Sequence, residues 1–328
     1  MTNLEVPDMY NPIITILGPT ATGKTKLATL LADKLNAEII SADSRQVYRG
    51  MDIGTGKDLS EYQVGDKIIR HHLIDIVEPG IEYNIFQYQQ AASPIIKKLQ
   101  AQQKPVILCG GSGMYIETLL KGYKLFPVPE DAALREILNQ KSDTELEELL
   151  SSFRKLHNKT DIEDRNRVIR ALEIEYYYQE HPELQEISQV IPSIIFGLKG
   201  DRDLIRQRIT HRLRERLEEG MIDEVQHLLN QGVDSNQLIR YGLEYKFITL
   251  FLLQEIDYET MFNKLNIAIH QFSKRQMTWF RKMEREGFNI YWLDIAQSDA
   301  EKLEAIHFKT QSHIQLKLKS NSSSYPEI

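Results

Sequence analysis

Gly18-Pro19-Thr20-Ala21-Thr22-Gly23-Lys24-Thr25 is the stretch that decides the fold of this 328-residue chain. It follows Ile13-Ile14-Thr15-Ile16-Leu17, an apolar run rich in β-branched residues, and leads into Lys26-Leu27-Ala28-Thr29-Leu30-Leu31, which reads as a helix. A strand, a GxxxxGK[ST] loop and a helix, in that order, make a phosphate-binding P-loop. The glycines let the backbone turn back on itself, so successive N–H groups and a helix N-terminus face one anion. Lys24 adds a point charge, and the Thr25 hydroxyl can hold Mg²⁺. The strand and helix on either side weigh against a chance turn. The loop specifies phosphate without saying which phosphate.

Outward from this loop, residues 37–42, 72–76, 105–109 and 193–198 are short apolar runs without alternation. Such runs read as parallel strands buried on both faces. Helical patterns at 86–103 and 113–120 lie between them, which predicts an α/β fold: a P-loop NTPase-like doubly wound parallel sheet with the P-loop on its first strand. Residues 10–122 form the first part of that core. Residues 123–191 differ, with a linker at 124–130 (KLFPVPE) and helical stretches at 132–140, 144–156 and 161–178. This predicts an all-helical insertion domain. Residues 192–300 complete the core with a further strand and a helical C-terminal part. There, Ile205, Ile209, Leu213 and Leu217 recur four apart, with Arg208, Arg212 and Arg216 on an adjoining face. A long helix covers 261–286. The tail at 311–328, with three consecutive serines, is expected to be disordered.

With 41% hydrophobic and 27% charged residues, the composition is that of a soluble globular protein. The net charge of −7 means that any nucleic-acid contact has to come from a local basic patch. A single cysteine, Cys109, excludes an internal disulfide and a Cys-based zinc site, and suits a reducing compartment. No apolar run approaches the ~18 residues of a membrane span, and the first residues lack a signal-peptide pattern. The expectation is a cytoplasmic protein with no membrane contact.

A P-loop NTPase usually holds Mg²⁺ with an Asp at the end of a second strand. Here the run 105–109 leads into Gly110-Gly111-Ser112-Gly113-Met114-Tyr115, with no acid, and Asp75 is the possible substitute. The bound phosphate therefore need not belong to ATP. Asp43 lies where the second strand runs out, on the edge where α/β sheets build their sites. It suits a general base toward an acceptor beside the phosphates. It equally suits a helix N-cap, with Gln46 completing a capping box. The arginine face, read by itself, is a solvated helix face. Lys274, Arg275, Arg281, Lys282 and Arg285, with Trp279 and Phe280 among them, make either a nucleic-acid surface or a core helix with solvated charges.

Taken together, GPTATGKT (18–25), DSRQVYRGMDIGTGK (43–57), HHLIDI (71–76), GGSGMY (110–115), DRNRVIRALE (164–173) and KRQMTW (274–279) resemble the tRNA dimethylallyltransferases, or tRNA isopentenyltransferases, in the order of that family. The resemblance implies transfer of a dimethylallyl group from dimethylallyl diphosphate to N6 of the adenosine next to the anticodon, in tRNAs reading codons that begin with U. Residues Gly18, Pro19, Thr20, Ala21, Thr22, Gly23, Lys24 and Thr25 would then grip a prenyl diphosphate, and diphosphate would leave. By the same resemblance Asp43 is the base, while Lys24, Arg212 and Ser112 act on the diphosphate and Thr25 and Ser112 on Mg²⁺. The tRNA contacts fall on Asp43, Ser44, Arg45, Gln46, Arg135, Asn166, Arg167, Val168, Ile169, Arg170 and Arg240. Four positions depart from the family pattern: Ser112 stands where Thr is usual, His270 where Arg is, Leu243 where Tyr is, and residues 176–182 where a Thr-Gly is. A monomer is expected. The alternatives are an adenylate isopentenyltransferase acting on free AMP, ADP or ATP, a P-loop kinase, and an inactive tRNA-binding relative.

Overall fold

The computed structural model describes residues 12–122, 125–153, 164–184 and 190–322. The chain divides into two compact units, Met1–Lys121 with Ile191–Ile328, and Gly122–Val190. The larger unit begins with β1 (Ile13–Leu17), α1 (Lys24–Leu35), β2 (Glu38–Ser41) and a hairpin of β3 (Gln63–Val64) and β4 (Lys67–Ile68). It continues through β5 (His71–His72), α2 (Ile85–Ala101), β6 (Val106–Gly110) and α3 (Gly113–Lys121). The smaller unit holds α4 (Ala132–Asn139), α5 (Asp143–Phe153) and α6 (Arg165–Glu180). The chain then re-enters the larger unit as β7 (Ser193–Lys199), α7 (Arg202–Glu218), α8 (Met221–Asn230), α9 (Ser235–Tyr241) and α10 (Leu243–Leu252). It ends with α11 (Tyr258–Arg285), β8 (Ile290–Asp294) and α12 (Asp299–Ser322).

Six strands form one sheet in the order β5-β2-β6-β1-β7-β8, with every pairing parallel. Leu17 lies beside Gly110 on one flank and Gly197 on the other, and Ser41 lies beside Cys109. This register brings the loops after β1, β2 and β6 to one carboxyl edge, where open α/β sheets bind ligands. Both faces of the sheet are covered. Ile14, Ile16, Ile39, Ile107 and Phe196 pack with Leu27 and Leu31 of α1. Ile13, Leu17, Ile40 and Leu108 pack with Tyr88, Ile96, Ile116 and Phe280. Strands buried on both sides have no polar face to present, which is why their sequences do not alternate. A third apolar cluster joins Val47, Tyr48 and Met51 to α7–α11 through Ile209, Leu213, Tyr241, Tyr245 and Leu265.

Three expectations change. The run at 72–76 is a strand only at its start, because Leu73 and Asp75 adopt left-handed φ of 64° and 54° and take the chain out of the sheet. β8 is an additional edge strand whose Ile-Tyr-Trp-Leu-Asp sequence is half-buried and lacks a long apolar run. Residues 311–322, expected to be disordered, continue α12. Leu303 and Ile306 seat its first turns on the core, and a seated helix propagates at little cost per residue. Residues 323–328 lie outside the described residues, as do 154–163, where parts of two expected helices fall.

Candidate active site

The P-loop follows directly on β1. Gly23 caps α1 with φ 79°, a left-handed conformation open to glycine without strain. The Thr22 hydroxyl donates to Pro19 O at 2.8 Å, and Lys24 Nζ donates to the same carbonyl at 2.7 Å. The lysine thus folds over its own loop. Desolvation, aided by the nearby Arg212 cation, lowers its ammonium group to about 8. Thr25, the second residue of α1, is half-buried.

Gln276 of α11 fastens this loop to the next. Its Oε1 accepts from Thr20 N at 2.9 Å, and its Nε2 donates to Gly111 O at 2.9 Å. It stands in the KRQMTW motif, so the sequence marked its position but not its task. Gly110 packs against the end of β2 so tightly that a Cβ would lie 2.1 Å from Ala42 O. Only glycine fits there. Ser112 N donates to Ala42 O at 3.2 Å, and Ser112 Oγ accepts from Ser44 N at 3.2 Å. The Ser112 hydroxyl therefore sits against the Asp43-Ser44 turn.

Asp43 is not a helix cap, since no helix follows it. Its Oδ1 accepts from Arg45 N at 2.9 Å and Gln46 N at 3.4 Å, an Asx-type turn that fixes the carboxylate at the sheet edge. The expected capping box does not form. The Gln46 side chain instead accepts from Ser41 Oγ and donates to Gly56 O. The Arg45 guanidinium lies 5.3 Å from the centre of the Tyr241 ring, one residue from the exposed Arg240 of α9.

Arg212 and Arg216 of α7 line a cavity with Thr20 and Ala21 of the P-loop, Leu213, Met221 and Glu244. Two members of the arginine face are therefore turned to the P-loop, while Arg208, one turn earlier, is exposed and does not line the cavity. Arg212 Nη2 donates to Asp58 Oδ2, and Arg216 Nη2 lies 3.3 Å from Asp58 Oδ1. Burial opposes ionisation of Asp58, but the two guanidinium groups outweigh it and hold the carboxyl below its usual range. Glu244 is pushed up to about 7 by desolvation, against the pull of Arg216 and Arg212.

The segment carrying Asp58 is anchored at two points that sequence reasoning missed. Lys57 is fully enclosed, donating to Tyr48 O at 2.5 Å and pairing with Asp52 and Asp75. Asp75, the possible substitute for the absent metal-holding acid, is therefore paired with Lys57 through one carboxylate oxygen. Glu224 of α8 accepts from Asp52 N and Ile53 N at 2.8 and 2.7 Å through one oxygen. Through the other it accepts from Gly54 N at 3.1 Å and the Tyr245 hydroxyl at 2.7 Å. Glu224→Ala leaves three backbone donors and a buried phenol without their acceptor. A loss of roughly 2–4 kcal/mol is expected, at ~1–3 kcal/mol for each buried group left unpaired and with partial compensation by water. Thermal unfolding should show this as a lowered Tm, and an unchanged Tm would mean that the segment holds itself.

α11 follows the core-helix reading. Phe280 is fully buried, and Trp279 donates Nε1–H to Glu117 Oε2 at 2.7 Å. Lys282 pairs with the same carboxylate, while Lys274, Arg275, Arg281 and Arg285 face solvent. His270 Nε2 lies 3.3 Å from the Thr210 hydroxyl, and burial lowers its pKa.

In the smaller unit, Glu173 is buried and draws three groups to itself. Arg135 is bidentate on it at 3.0 Å, Arg170 pairs with it, and Asp131 N donates to it. These arginines buttress the helices as well as presenting charge. Asn166 and Arg167 are exposed at the start of α6, which Asp164 caps. Val168 and Ile169, expected to touch tRNA, have side chains about 4% exposed in the core formed with Leu138, Leu146, Leu150 and Leu172. Helical periodicity turns them inward, and that expectation is corrected for their side chains.

Among the described residues no group of three His, Cys, Asp or Glu side chains could hold a metal. No helix of the described residues is long and apolar enough to cross a membrane. The donors at the P-loop edge are the hydroxyls of Thr25 and Ser112, hard oxygens of the kind Mg²⁺ accepts when substrate phosphates and water complete its shell.

A parallel sheet with a P-loop after β1, a carboxylate after β2 on the far side of β6, and two arginines turned to the loop is an arrangement suited to an enzyme that holds a phosphorylated group for transfer. Residues 46–283 match the IPP transferase family. The chain belongs to that family, the one its motifs resemble. It is 55% identical to tRNA dimethylallyltransferase 2 of Phocaeicola vulgatus over 90% of this chain and 96% of that one. It is 54% identical to tRNA dimethylallyltransferase 1 of Parabacteroides distasonis over 89% and 95%. Among solved structures it is similar to the full-length tRNA isopentenylpyrophosphate transferase of Bacillus halodurans, with a TM-score of 0.69 and 30% identity over 95% of this chain and 99% of that one. A eukaryotic dimethylallyltransferase acting on tRNA, 24% identical, shares the fold with a TM-score of 0.72 over 94% of this chain and 79% of that one.

Proposed function

We propose that the protein transfers a dimethylallyl group from dimethylallyl diphosphate to N6 of a tRNA adenosine beside the anticodon, releasing diphosphate. The observation that carries this reading is the pairing of a P-loop with Asp43 at the same sheet edge, while Asp75, the remaining candidate for a nucleotidase-type acid, is paired with Lys57. The P-loop then holds the leaving group. The names of relatives more than half identical over nine-tenths of the chain support the same reading.

As diphosphate departs, charge grows on its oxygens. Loop N–H groups, Lys24 and Arg212 would stabilise it. An adenine N6 is a poor nucleophile because its lone pair is delocalised into the ring. Asp43 orients it and takes its proton, which restores a neutral amine in the product. Mg²⁺, held by Thr25 and Ser112, would neutralise diphosphate charge. Ser112 Oγ keeps a free lone pair for this after accepting from Ser44 N, so the Ser-for-Thr change preserves the donor. Ser44, Arg45, Gln46 and Arg240 would meet the tRNA near the target base, while Arg135, Arg167 and Arg170 would supply charge from the helical unit and Asn166 a neutral amide. The target base has to leave its stack, at a cost of a few kcal/mol, and basic side chains beside the edge recover part of it.

Purified protein with labelled dimethylallyl diphosphate, Mg²⁺ and unmodified tRNA should put label on the tRNA. Label on AMP or ATP instead would identify an adenylate isopentenyltransferase. Phosphate transfer from ATP with no prenyl transfer would identify a kinase.

A further inference from the structure

Arg212, the arginine assigned above to the donor's diphosphate, and its neighbour Arg216 already hold an anion of the protein's own. Asp58 accepts from Arg212 and lies 3.3–3.4 Å from Arg216 through both carboxylate oxygens. Its backbone adopts φ 33° and ψ 57°, a left-handed conformation that costs a non-glycine residue about 1–2 kcal/mol. The strain is held in place by Lys57 N donating to Asp52 O and Glu61 N donating to Asp58 O, and beyond them by the Glu224 anchor. The fold thus holds a carboxylate in a costly conformation against the two arginines that face the P-loop.

The geometry also leaves room for exchange. The side chains of Asp58 and Arg212 are each about one-third exposed, whereas Arg216 is 11% exposed. Arg212 is the partner that solvent, and an incoming anion, can reach. A diphosphate carries more charge than a carboxylate and offers paired oxygens to a guanidinium fork. Both anions on Arg212 at once would repel each other in a partly desolvated cleft.

We propose that Asp58 is a stand-in for the donor's diphosphate. It keeps Arg212 and Arg216 aimed at the P-loop while the site is empty, yields Arg212 when the donor enters, and reclaims it as diphosphate leaves. Asp58 is then a positioning residue that also speeds product release. This inference rests on the donor reading above.

Asp58→Asn tests it, because asparagine tolerates the left-handed backbone and removes only the charge. With inorganic pyrophosphate and Mg²⁺ as the probe, calorimetry should show binding about tenfold tighter than wild type, the equivalent of removing one competing charge contact. The donor KM should fall, and kcat should fall with it, with a burst in the first turnover as release becomes limiting. Unchanged or weaker pyrophosphate binding by a variant with wild-type Tm would overturn the proposal. Wild-type crystals soaked in pyrophosphate and Mg²⁺ give a second reading independent of any variant. Arg212 should have left Asp58 for the anion, and an intact Arg212–Asp58 pair beside bound pyrophosphate would sink the idea. A wild-type protein that binds neither pyrophosphate nor dimethylallyl diphosphate would instead remove the donor reading itself.

Discussion

Asp43→Asn should lower dimethylallyl transfer by about a hundred- to ten-thousandfold, the range over which a positioned general base contributes, while tRNA still binds. The substitution isolates basicity. Asp43 Oδ1 accepts from Arg45 N and Gln46 N, and the amide oxygen of asparagine can keep both bonds. The turn that carries Ser44, Arg45 and Gln46 to the acceptor therefore survives, and with it the contacts expected with tRNA. Asp43→Ala removes the base and the turn together, so it should also weaken tRNA binding. Single-turnover transfer with saturating tRNA separates the two effects. Full activity in Asp43→Asn would remove Asp43 as the base, and loss of tRNA binding in that variant would make it a structural residue.

Lys24→Ala should cost about 3–4 kcal/mol of transition-state stabilisation, the usual loss for one preorganised donor, or a hundred- to thousandfold in kcat/KM. On the proposed reading the reaction adds charge to oxygens that Lys24 would meet, and no other residue of the P-loop carries a positive side chain. The site also gives a pH signature. Desolvation and Arg212 lower the Lys24 ammonium to about 8 in the donor-free protein. The protonated form is the one that binds an anion. It is complete well below pH 8 and is lost as pH rises through 8. Donor affinity should fall above that point, and donor binding should draw a proton onto the lysine. Lys24→Arg keeps its charge throughout and should bind donor without the falling limb. A wild-type affinity flat from pH 7 to 9.5 would mean that the charge of Lys24 is not what holds the diphosphate.

Much of this site is local, and local features can be read from a sequence. The P-loop glycines, Lys24 and Thr25 act within eight residues, and backbone sterics alone demand their order. The four central strands were legible because burial on both faces removes their polar positions. The residues that were not legible act across distance. Gln276 reaches Thr20 and Gly111 from 256 and 165 residues away, and Glu224 reaches Asp52 from 172. A glutamine inside a basic helix and a glutamate on an amphipathic one have ordinary solvated readings. Arg216 resembled its neighbours on α7 until Asp58 was found against it. Val168 and Ile169 show the opposite error, since a motif marked as functional also contains residues that build the helix core.

What the sequence determined by itself was a P-loop on the first strand of a parallel sheet, a helical insertion between two strands, and a carboxylate and a hydroxyl near the strand ends. Spacing, periodicity and glycine positions are enough for these, because each depends on neighbours along the chain. Only the tertiary structure decided that Asp43 caps a turn and not a helix, that Asp75 serves Lys57, and that two arginines of α7 face the P-loop with Asp58 between them. The physical reason is the parallel register. It sets the ends of β1, β2 and β6 side by side and lets helices more than 150 residues away complete the site. Charge pairing in a partly desolvated cleft then determines which side chain holds which.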